Sequence, residues 1–226
     1  MPLLGQAAMV LSFDVVPEAI TEHDDLHTHE HLPERLSIPG FIRGSRWVAL
    51  QGQPRYLVVY EVAELATLAS EAYLQRLNNP TPWTSKIMPS YRGMSRGFCA
   101  VTGSFGFGLG HVALLLRFRP QATAELRLRA WLVSELLPQL PGRAGIGSVH
   151  LFEGALTPQM TNEQRIRGAD AGVDWALLVT GYSFDALARL AGADLDASRL
   201  AEQGAMGVQG ATSRLDYVLS HDEIAT

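Results

Sequence analysis

The feature that most constrains the fold of this chain is a β-α-β-β-α-β order of hydrophobic patterns that occurs twice. Strands are predicted where apolar residues alternate with polar ones, and helices where apolar residues recur three and four positions apart. In the first half these patterns predict strands at residues 9–16, 41–50, 55–62 and 91–102, and helices at 17–36 and 64–77. In the second half they predict strands at 111–119, 146–153, 174–181 and 212–220, and helices at 122–137 and 184–190.

A β-α-β-β-α-β unit forms a ferredoxin-like antiparallel sheet with both helices on one face, so the other face stays open. Two units in one chain can cover these open faces by packing sheet to sheet. The sequence therefore predicts an α+β fold of duplicated ferredoxin-like units that form an α/β barrel within one chain. The first unit is expected at residues 1–105 and the second at 106–226. Short echoes support a duplication, because Leu32-Pro33 and Pro39-Gly40 recur as Leu137-Pro138 and Pro141-Gly142.

The second unit contains an insertion at residues 155–172 that has no counterpart in the first unit, where the matching turn is only Gln51-Gly52-Gln53-Pro54. Thr161 and Gln164 have the spacing of a helix capping box. The segment carries Glu163, Arg165 and Arg167. It is interpreted either as a lid or interface arm, or as a surface insertion without a role.

The charge balance limits the classes of partner. The chain has 18 Lys and Arg against 23 Asp and Glu, a formal net charge of −5 and a pI near 5.8. It lacks the positive field that holds nucleic acid or an anionic membrane. No run reaches the roughly 18 apolar residues that a membrane span needs. We therefore expect a cytoplasmic protein that binds neither nucleic acid nor membrane. The single cysteine, Cys99, excludes an internal disulfide and is interpreted as a core residue.

Four of the seven histidines fall between His23 and His31. On a helix, His23, His27 and His31 form one stripe at successive i, i+4 positions, whereas His29 points to nearly the opposite side. Pro33 predicts a kink or an end of the helix near His31. Three interpretations remain open: a solvated polar face, a proton-transfer site supported by neighbouring carboxylates, and a metal site.

The second half offers an internal comparison for the histidine stripe. Alignment of Leu32-Pro33 with Leu137-Pro138 places Leu128, Leu132 and Leu136 opposite the three histidines. This difference makes the first half the better candidate for a pocket. The apolar helix of the second half, which carries Leu126, Trp131, Leu132 and Leu136, is suited to a contact in a homo-oligomer.

The sequences His31-Leu-Pro33-Glu34 and Pro39-Gly40-Phe41, together with the order of elements, resemble the dimeric α/β-barrel superfamily and its EthD-like members. In that family an aromatic residue usually precedes the His-x-Pro motif by four positions, where this chain has His27. The resemblance implies a cofactor-independent isomerase, cyclase or monooxygenase that acts on a small cyclic or aromatic molecule. Some relatives bind haem through a histidine, but this sequence shows no signature for haem, so neither a cofactor nor a metal is predicted.

The predicted site centres on His31 as the proton-transfer group. Glu30 or His27 is expected to tune it, and Arg46 or Tyr60 to polarise the substrate. Substrate-binding residues are expected among the basic and aromatic side chains of the predicted hairpin, namely Arg43, Trp47 and Tyr60. The alternative is a non-catalytic barrel, of the small-ligand-binding or stress-associated kind.

Overall fold

The computed structural model describes residues 3–51, 53–156 and 160–224. The strands of this part are β1 (Ala7–Val15), β2 (Phe41–Gln51), β3 (Tyr56–Val62), β4 (Tyr91–Gly106), β5 (Val112–Pro120), β6 (Ile146–Leu156), β7 (Trp175–Gly181) and β8 (Ala205–Ser220). They close into a barrel in the order β1-β3-β2-β8-β5-β7-β6-β4. Every neighbouring pair is antiparallel. The predicted α+β barrel and the β2–β3 hairpin are confirmed, although Gly52 of the hairpin turn lies outside the described residues.

The two halves join edge to edge, whereas the sequence suggested two sheets packed face to face. β4 and β8 are each 16 residues long, and both extend beyond their own four-stranded sheets. The far part of β4 pairs with β6, and the far part of β8 pairs with β2. These two ladders satisfy backbone groups that separate sheets would leave unpaired at their edges. The predicted strand at 91–102 was too short because its last residues, to Gly106, pair with β6 of the other half. The predicted strand at 212–220 missed residues 205–211, which pair with β5 of the same half.

The helices lie outside the barrel. The first half has α1 (Ile20–Leu26), a π-helical turn (His27–His31), α2 (Leu32–Leu36), α3 (Glu71–Asn78) and α4 (Pro82–Ile87). The second half has α5 (Glu125–Trp131), a second π-helical turn (Leu132–Leu136), α6 (Asn162–Arg167), α7 (Phe184–Ala191) and α8 (Ala197–Glu202). Short 3-10 turns occupy Pro17–Ala19, Leu65–Ala69, Met88–Ser90, Leu137–Gln139 and His221–Glu223.

The helix predicted at 64–77 is divided at Ser70. This residue has extended backbone angles, and its side chain accepts a hydrogen bond from the backbone N–H of Tyr73 at 3.2 Å. Serine is favoured at such an N-cap because its hydroxyl satisfies a backbone donor in the first turn. α3 therefore begins at Glu71, after a 3-10 turn rather than as one longer helix.

Corresponding elements in the two halves have a constant spacing up to the insertion. β1 begins at Ala7 and β5 at Val112, 105 residues later. The same spacing of 105 separates α1 from α5, β2 from β6, and the first π-helical turn from the second, which begin at Ile20 and Glu125, Phe41 and Ile146, and His27 and Leu132. The strand order β4-β1-β3-β2 in the first half matches β8-β5-β7-β6 in the second.

Three apolar clusters follow from the alternation of side chains along the strands. One fills the barrel, and includes Trp47, Cys99 and Leu115. Two others lie between the outer face of each half-barrel and its helices. Cys99 is 0% exposed, and burial raises the pKa of its thiol to about 12, so its interpretation as a core residue is confirmed. In the described part of the chain, no helix has the length and apolar character to cross a membrane.

Candidate functional site

The histidine stripe lies on a helix that changes its winding one turn before a proline. The backbone N–H of Leu32 bonds to the carbonyl of His27, which is the i to i−5 bond of a π-helical turn. Pro33 lacks a backbone N–H, and in a regular α-helix its ring would crowd the carbonyl four residues earlier. A wider π turn relieves this crowding. The second half has the same arrangement, because Leu137 bonds to the Leu132 carbonyl just before Pro138.

The predicted stripe is present, and it faces the sheet. The ring centroids of His23 and His27 are 5.5 Å apart, and those of His27 and His31 are 5.6 Å apart, with nearly parallel planes in both pairs. His23 and His27 are buried, His31 is half-buried, and His29 is exposed on the other side as predicted. The interpretation as a solvated face therefore does not describe this stripe.

A glycine lets the helix approach the sheet closely beside the stripe. A Cβ atom on Gly44 of β2 would lie 2.4 Å from Leu32 Cδ2 and 3.2 Å from the Tyr60 ring. Any residue larger than glycine at position 44 would therefore clash with the side chain of Leu32. The contact fixes the height of the stripe above the outer face of β1 and β3.

His27 and His31 line a narrow cavity of about 30 Å³ between the helix and the sheet. Besides Nε and Nη2 of Arg96, which is ion-paired with Asp170, three polar atoms of the lining residues are buried without a hydrogen-bond partner: the Nδ1 atoms of His27 and His31, and the hydroxyl of Tyr60. The other lining residues are of two kinds. The apolar and aromatic ones are Met9, Leu11, Phe13, Val58, Met88, Tyr91 and Met94, and the charged ones are Arg35, Arg96, Glu163 and Arg167. Buried polar atoms normally have a partner, so three unpartnered groups around one cavity indicate a place for a ligand or ordered water.

Burial keeps the imidazoles of His27 and His31 and the phenol of Tyr60 uncharged near neutral pH. It lowers the pKa of His27 well below 6.5, and the neighbouring imidazoles of His23 and His31 lower it further. Burial, followed by the positive charge of Arg35, lowers the pKa of His31 well below 6.5. Burial also raises the pKa of the Tyr60 phenol. The cavity thus contains neutral imidazoles, each able to accept a proton, and a phenolic hydroxyl that can donate a hydrogen bond.

A buried network of ions forms one wall of the cavity and comes partly from the insertion in the second half. Arg35 of α2 pairs with Glu163 of α6. Arg167 lies 3.8 Å from Glu163 and 2.7 Å from Asp170. Arg96 of β4 completes the series at 2.8 Å from Asp170. Cations and anions alternate along it, so each charge taken from water has a partner of opposite sign.

The insertion is also held by its backbone and by its predicted cap. Ala171 exchanges two backbone hydrogen bonds with β4, to Met94 and from Arg96, each 2.9 Å long. The backbone N–H of Thr161 donates to Gln164 Oε1 at 3.1 Å, as the capping-box spacing predicted. The described part of the segment therefore lies across the cavity of the first half. Residues 157–159 of the predicted insertion lie outside the described residues.

A second cavity of about 260 Å³ adjoins the first. Tyr91, Met94 and Arg167 line both cavities. The outer cavity also touches Gly93, Ala169 and Ala171, so it lies between β4 and the insertion. Together the two form an outer chamber and a narrow inner end at the histidines.

Of the other predicted catalytic residues, Glu30 and Arg46 lie away from this cavity. The carboxylate of Glu30 accepts hydrogen bonds from the hydroxyls of Thr81 and Thr84, at 2.5 and 3.3 Å. Arg46 pairs with Asp216 of β8 at 2.8 Å. Glu30 thus joins the helix to the start of α4, and Arg46 joins β2 to β8.

Of the predicted substrate-binding residues, Tyr60 lines the cavity, but Trp47 and Arg43 do not. Trp47 is 0% exposed and points into the barrel, where its indole N–H donates to Ser45 Oγ at 3.0 Å. Arg43 pairs with Glu61 at 2.6 Å. Strand alternation explains the separation, because Tyr60 faces the helices on β3 whereas Trp47 faces the interior on β2.

The sequence reasoning missed Arg35, Tyr91 and Arg96, and it singled out Glu163 and Arg167 without assigning them to this cavity. Arg35 follows Glu34 on the predicted helix, but its partner Glu163 is 128 residues away. Metal binding, the third interpretation of the stripe, has no support from geometry within the described ranges, where no three His, Cys, Asp or Glu residues are arranged to hold an ion.

No protein-family model and no curated protein matches the sequence. Solved structures do match along nearly the whole chain. An anthrone oxidase-like protein has a TM-score of 0.66 at 11% identity, with 100% of this chain and 98% of that chain covered. A candidate monooxygenase from Fusobacterium nucleatum has a TM-score of 0.63 at 9% identity, with 96% of each chain covered.

A mutant chlorite dismutase from Candidatus Nitrospira defluvii has a TM-score of 0.56 at 12% identity, covering 98% of this chain and 96% of that one. This chain therefore shares the fold of these structures over nearly its whole length. At these identities the likeness concerns the fold, and the chemistry has to be argued from the site.

Proposed function

We propose that this chain is a cofactor-independent enzyme of the EthD-like type that abstracts a proton from a small cyclic or aromatic substrate. One observation supports this most: the Nδ1 atoms of two neutral imidazoles and a phenolic hydroxyl, all buried without hydrogen-bond partners, belong to residues around one cavity. Proton removal next to a carbonyl is the shared first step of isomerase, cyclase and monooxygenase reactions on such molecules. It needs a base, a donor for the developing oxyanion and exclusion of water.

In this proposal His31 accepts the proton. Its ring is the outermost of the stripe, and its neutral form has a free Nδ1. The hydroxyl of Tyr60 donates a hydrogen bond to the substrate oxygen as negative charge develops there. The cation of Arg35, which pairs with Glu163 while the site is closed, stabilises that charge. His27 stacks on His31 and fixes the plane of its ring.

Access to the site involves α6. The inner cavity of about 30 Å³ has room for about two water molecules but not for a cyclic substrate. The adjoining chamber of about 260 Å³ is bounded by the insertion. We propose that the substrate enters through this chamber as α6 moves away from α2. Such a movement exchanges the Arg35–Glu163 pair for contacts with the substrate.

We also propose that the two halves arose by duplication and then diverged. The units are residues 1–105 and 106–226, with the insertion at 155–172 in the second unit. The constant spacing of 105 residues and the π-helical turn before a proline in both halves support this. Leu132 and Leu136 occupy the positions of His27 and His31 and are buried in the apolar cluster of their own half. The sequence suggested Leu126, Trp131, Leu132 and Leu136 as a contact in a homo-oligomer. Of these four, only Leu126 and Trp131 are at least partly exposed.

One observation favours the alternative, a non-catalytic barrel that holds a small ligand: the cavity at the histidines is smaller than a cyclic substrate, whereas no described histidine lines the larger cavities. The two proposals differ in whether a proton leaves the ligand. A binding protein leaves the C–H bonds of its ligand intact, whereas the enzyme exchanges an acidic C–H proton with solvent.

Hydrogen–deuterium exchange separates the two proposals. Anthrone, a butenolide lactone and an aromatic ketone are incubated with the protein in D₂O, and the loss of the acidic C–H signal is followed by NMR. We expect exchange of at least one compound to be faster with the protein, and His31→Gln to slow it by about 100-fold or more. Because the pKa of His31 is lowered, the rate should stay constant above about pH 6.5 and fall only well below it.

The exposed His29 provides the control, since His29→Gln changes the same residue type on the same helix without touching the cavity. Equal exchange by wild type and the His31→Gln variant would refute the role of His31. Binding of a compound without exchange would favour the non-catalytic alternative.

A further inference from the structure

A separate cavity of about 460 Å³ lies at one end of the barrel. Its floor is apolar, formed by Leu57 of β3 and Leu115 of β5, which belong to the interior cluster. Its rim includes Gln209 and Gly210 of β8, which are exposed. The cavity has the volume of sites for small molecules, and it shares no residue with the inner cavity at the histidines.

Among the described residues, Arg117 of β5 is the one cation that lines this cavity. Two residues before it on the strand, Leu115 points into the barrel, so the alternation directs Arg117 inward as well. Its guanidinium donates a hydrogen bond to Ser12 Oγ at 2.8 Å. Among the described residues, Arg117 forms no ion pair with a carboxylate, whereas Arg35, Arg43 and Arg96 each have such a partner.

An inward guanidinium without an anion is unfavourable, because it gives up hydration without gaining a charged partner. Burial accordingly lowers the pKa of Arg117, and no described carboxylate opposes this effect. An anion in the cavity would supply the missing charge and accept two parallel hydrogen bonds from the planar guanidinium. Ser12 and Ser213 are both 3% exposed and place hydroxyl groups at the same cavity wall.

We infer that the barrel-end cavity is a second ligand site, which binds a small carboxylate with an apolar body through Arg117, Ser12 and Ser213. A monocarboxylate fits better than a phosphate ester, since a single lining cation balances one negative charge. The apolar body lies against Leu57 and Leu115. This site spans both halves of the barrel and does not depend on the proton-transfer role of His31.

Benzoate is the probe, and uncharged benzamide is its match in shape. Titrations followed by ligand NMR and calorimetry should show that wild type binds benzoate in the millimolar range or more tightly, and benzamide at least tenfold more weakly. Arg117→Gln should weaken benzoate binding at least tenfold. Arg119→Gln is the matched control, since Arg119 is exposed near the end of the same strand and does not line the cavity.

Thermal unfolding keeps the inference testable if a variant folds poorly. We expect Arg117→Met to melt at or above the wild-type temperature without ligand, because an unpaired cation is removed. Benzoate should raise the melting temperature of wild type but not of this variant. The inference is overturned if benzoate does not bind, if Arg117→Gln binds it as tightly as wild type, or if His31→Gln abolishes binding while Arg117→Gln does not.

Discussion

Buried neutral histidines should make this protein sensitive to mild acid. His27 is 2% exposed and His150 is 1% exposed, and burial lowers the pKa of each, in the case of His150 to about 3. An unfolded histidine has a pKa of about 6.5. Because the folded-state pKa lies below the unfolded value, stability is complete above about pH 6.5 and falls as the pH drops below it. At about pH 5.5, proton uptake by one unfolded histidine favours unfolding by about 1.4 kcal/mol.

His27 and His150 together therefore cost about 3 kcal/mol between about pH 7.5 and pH 5.5. For a chain of this length that corresponds to a fall in melting temperature of about 6–12 °C. His23 and His31 act in the same direction, because burial lowers the pKa of each. Buried carboxyl groups such as Glu61, whose pKa is raised by burial, act in the opposite sense, so the total alone does not isolate the histidines.

The comparison with His27→Leu isolates one of them. Leucine occupies the matching position of the second half, at Leu132, within the same π-helical turn. Urea unfolding followed by circular dichroism at about pH 7.5 and pH 5.5 should show that this variant loses about 1.4 kcal/mol less than wild type. His29→Leu, at an exposed position, should lose as much as wild type. If His27→Leu and wild type lose the same free energy, His27 is not a buried neutral group and the reasoning fails.

Two further predictions concern packing around the site. Glu163→Gln keeps the shape of the side chain but leaves Arg35 without its principal partner, and we expect a loss of about 3 kcal/mol in urea unfolding at neutral pH; an unchanged midpoint would show that α6 does not cover Arg35 in solution. Gly44→Ala places a methyl group 2.4 Å from Leu32 Cδ2 and should cost about 1–3 kcal/mol. Gly172→Ala, where a Cβ meets nothing within 4 Å, should be neutral, and equal stability of both variants would contradict the close approach of helix and sheet.

Local patterns predicted the parts of the site that depend on one element. The i, i+4 spacing of His23, His27 and His31 produces a stripe wherever the helix lies, and the exposed His29 follows from the same periodicity. The π-helical winding was not predicted, although Pro33 indicated a disturbance near His31. A proline shows that one α-helical backbone hydrogen bond is lost, but it does not show whether the helix then ends, kinks or widens into a π turn.

Parts of the site that depend on strand register and distant pairing could not be predicted. Arg46 was expected to face the substrate, but its partner Asp216 lies 170 residues away on β8. Trp47 was expected in the pocket, yet a strand side chain changes face with each one-residue change of register. The insertion was recognised as extra chain, but its position over the other half follows from the isolated bridge between β4 and Ala171 and from ion pairs with Arg35 and Arg96.

The position of α6 has a consequence for the order of folding during synthesis. The helix that holds Arg35 and the strand that holds Arg96 leave the ribosome first, whereas Glu163 and Asp170 follow only after the whole of β6 has been made. Until then, both arginines of the emerging half lack these anions, and the histidine cavity lacks its cover. A chain shortened before residue 160 should therefore remain a partly open intermediate, because its first half is completed by a segment encoded in the second.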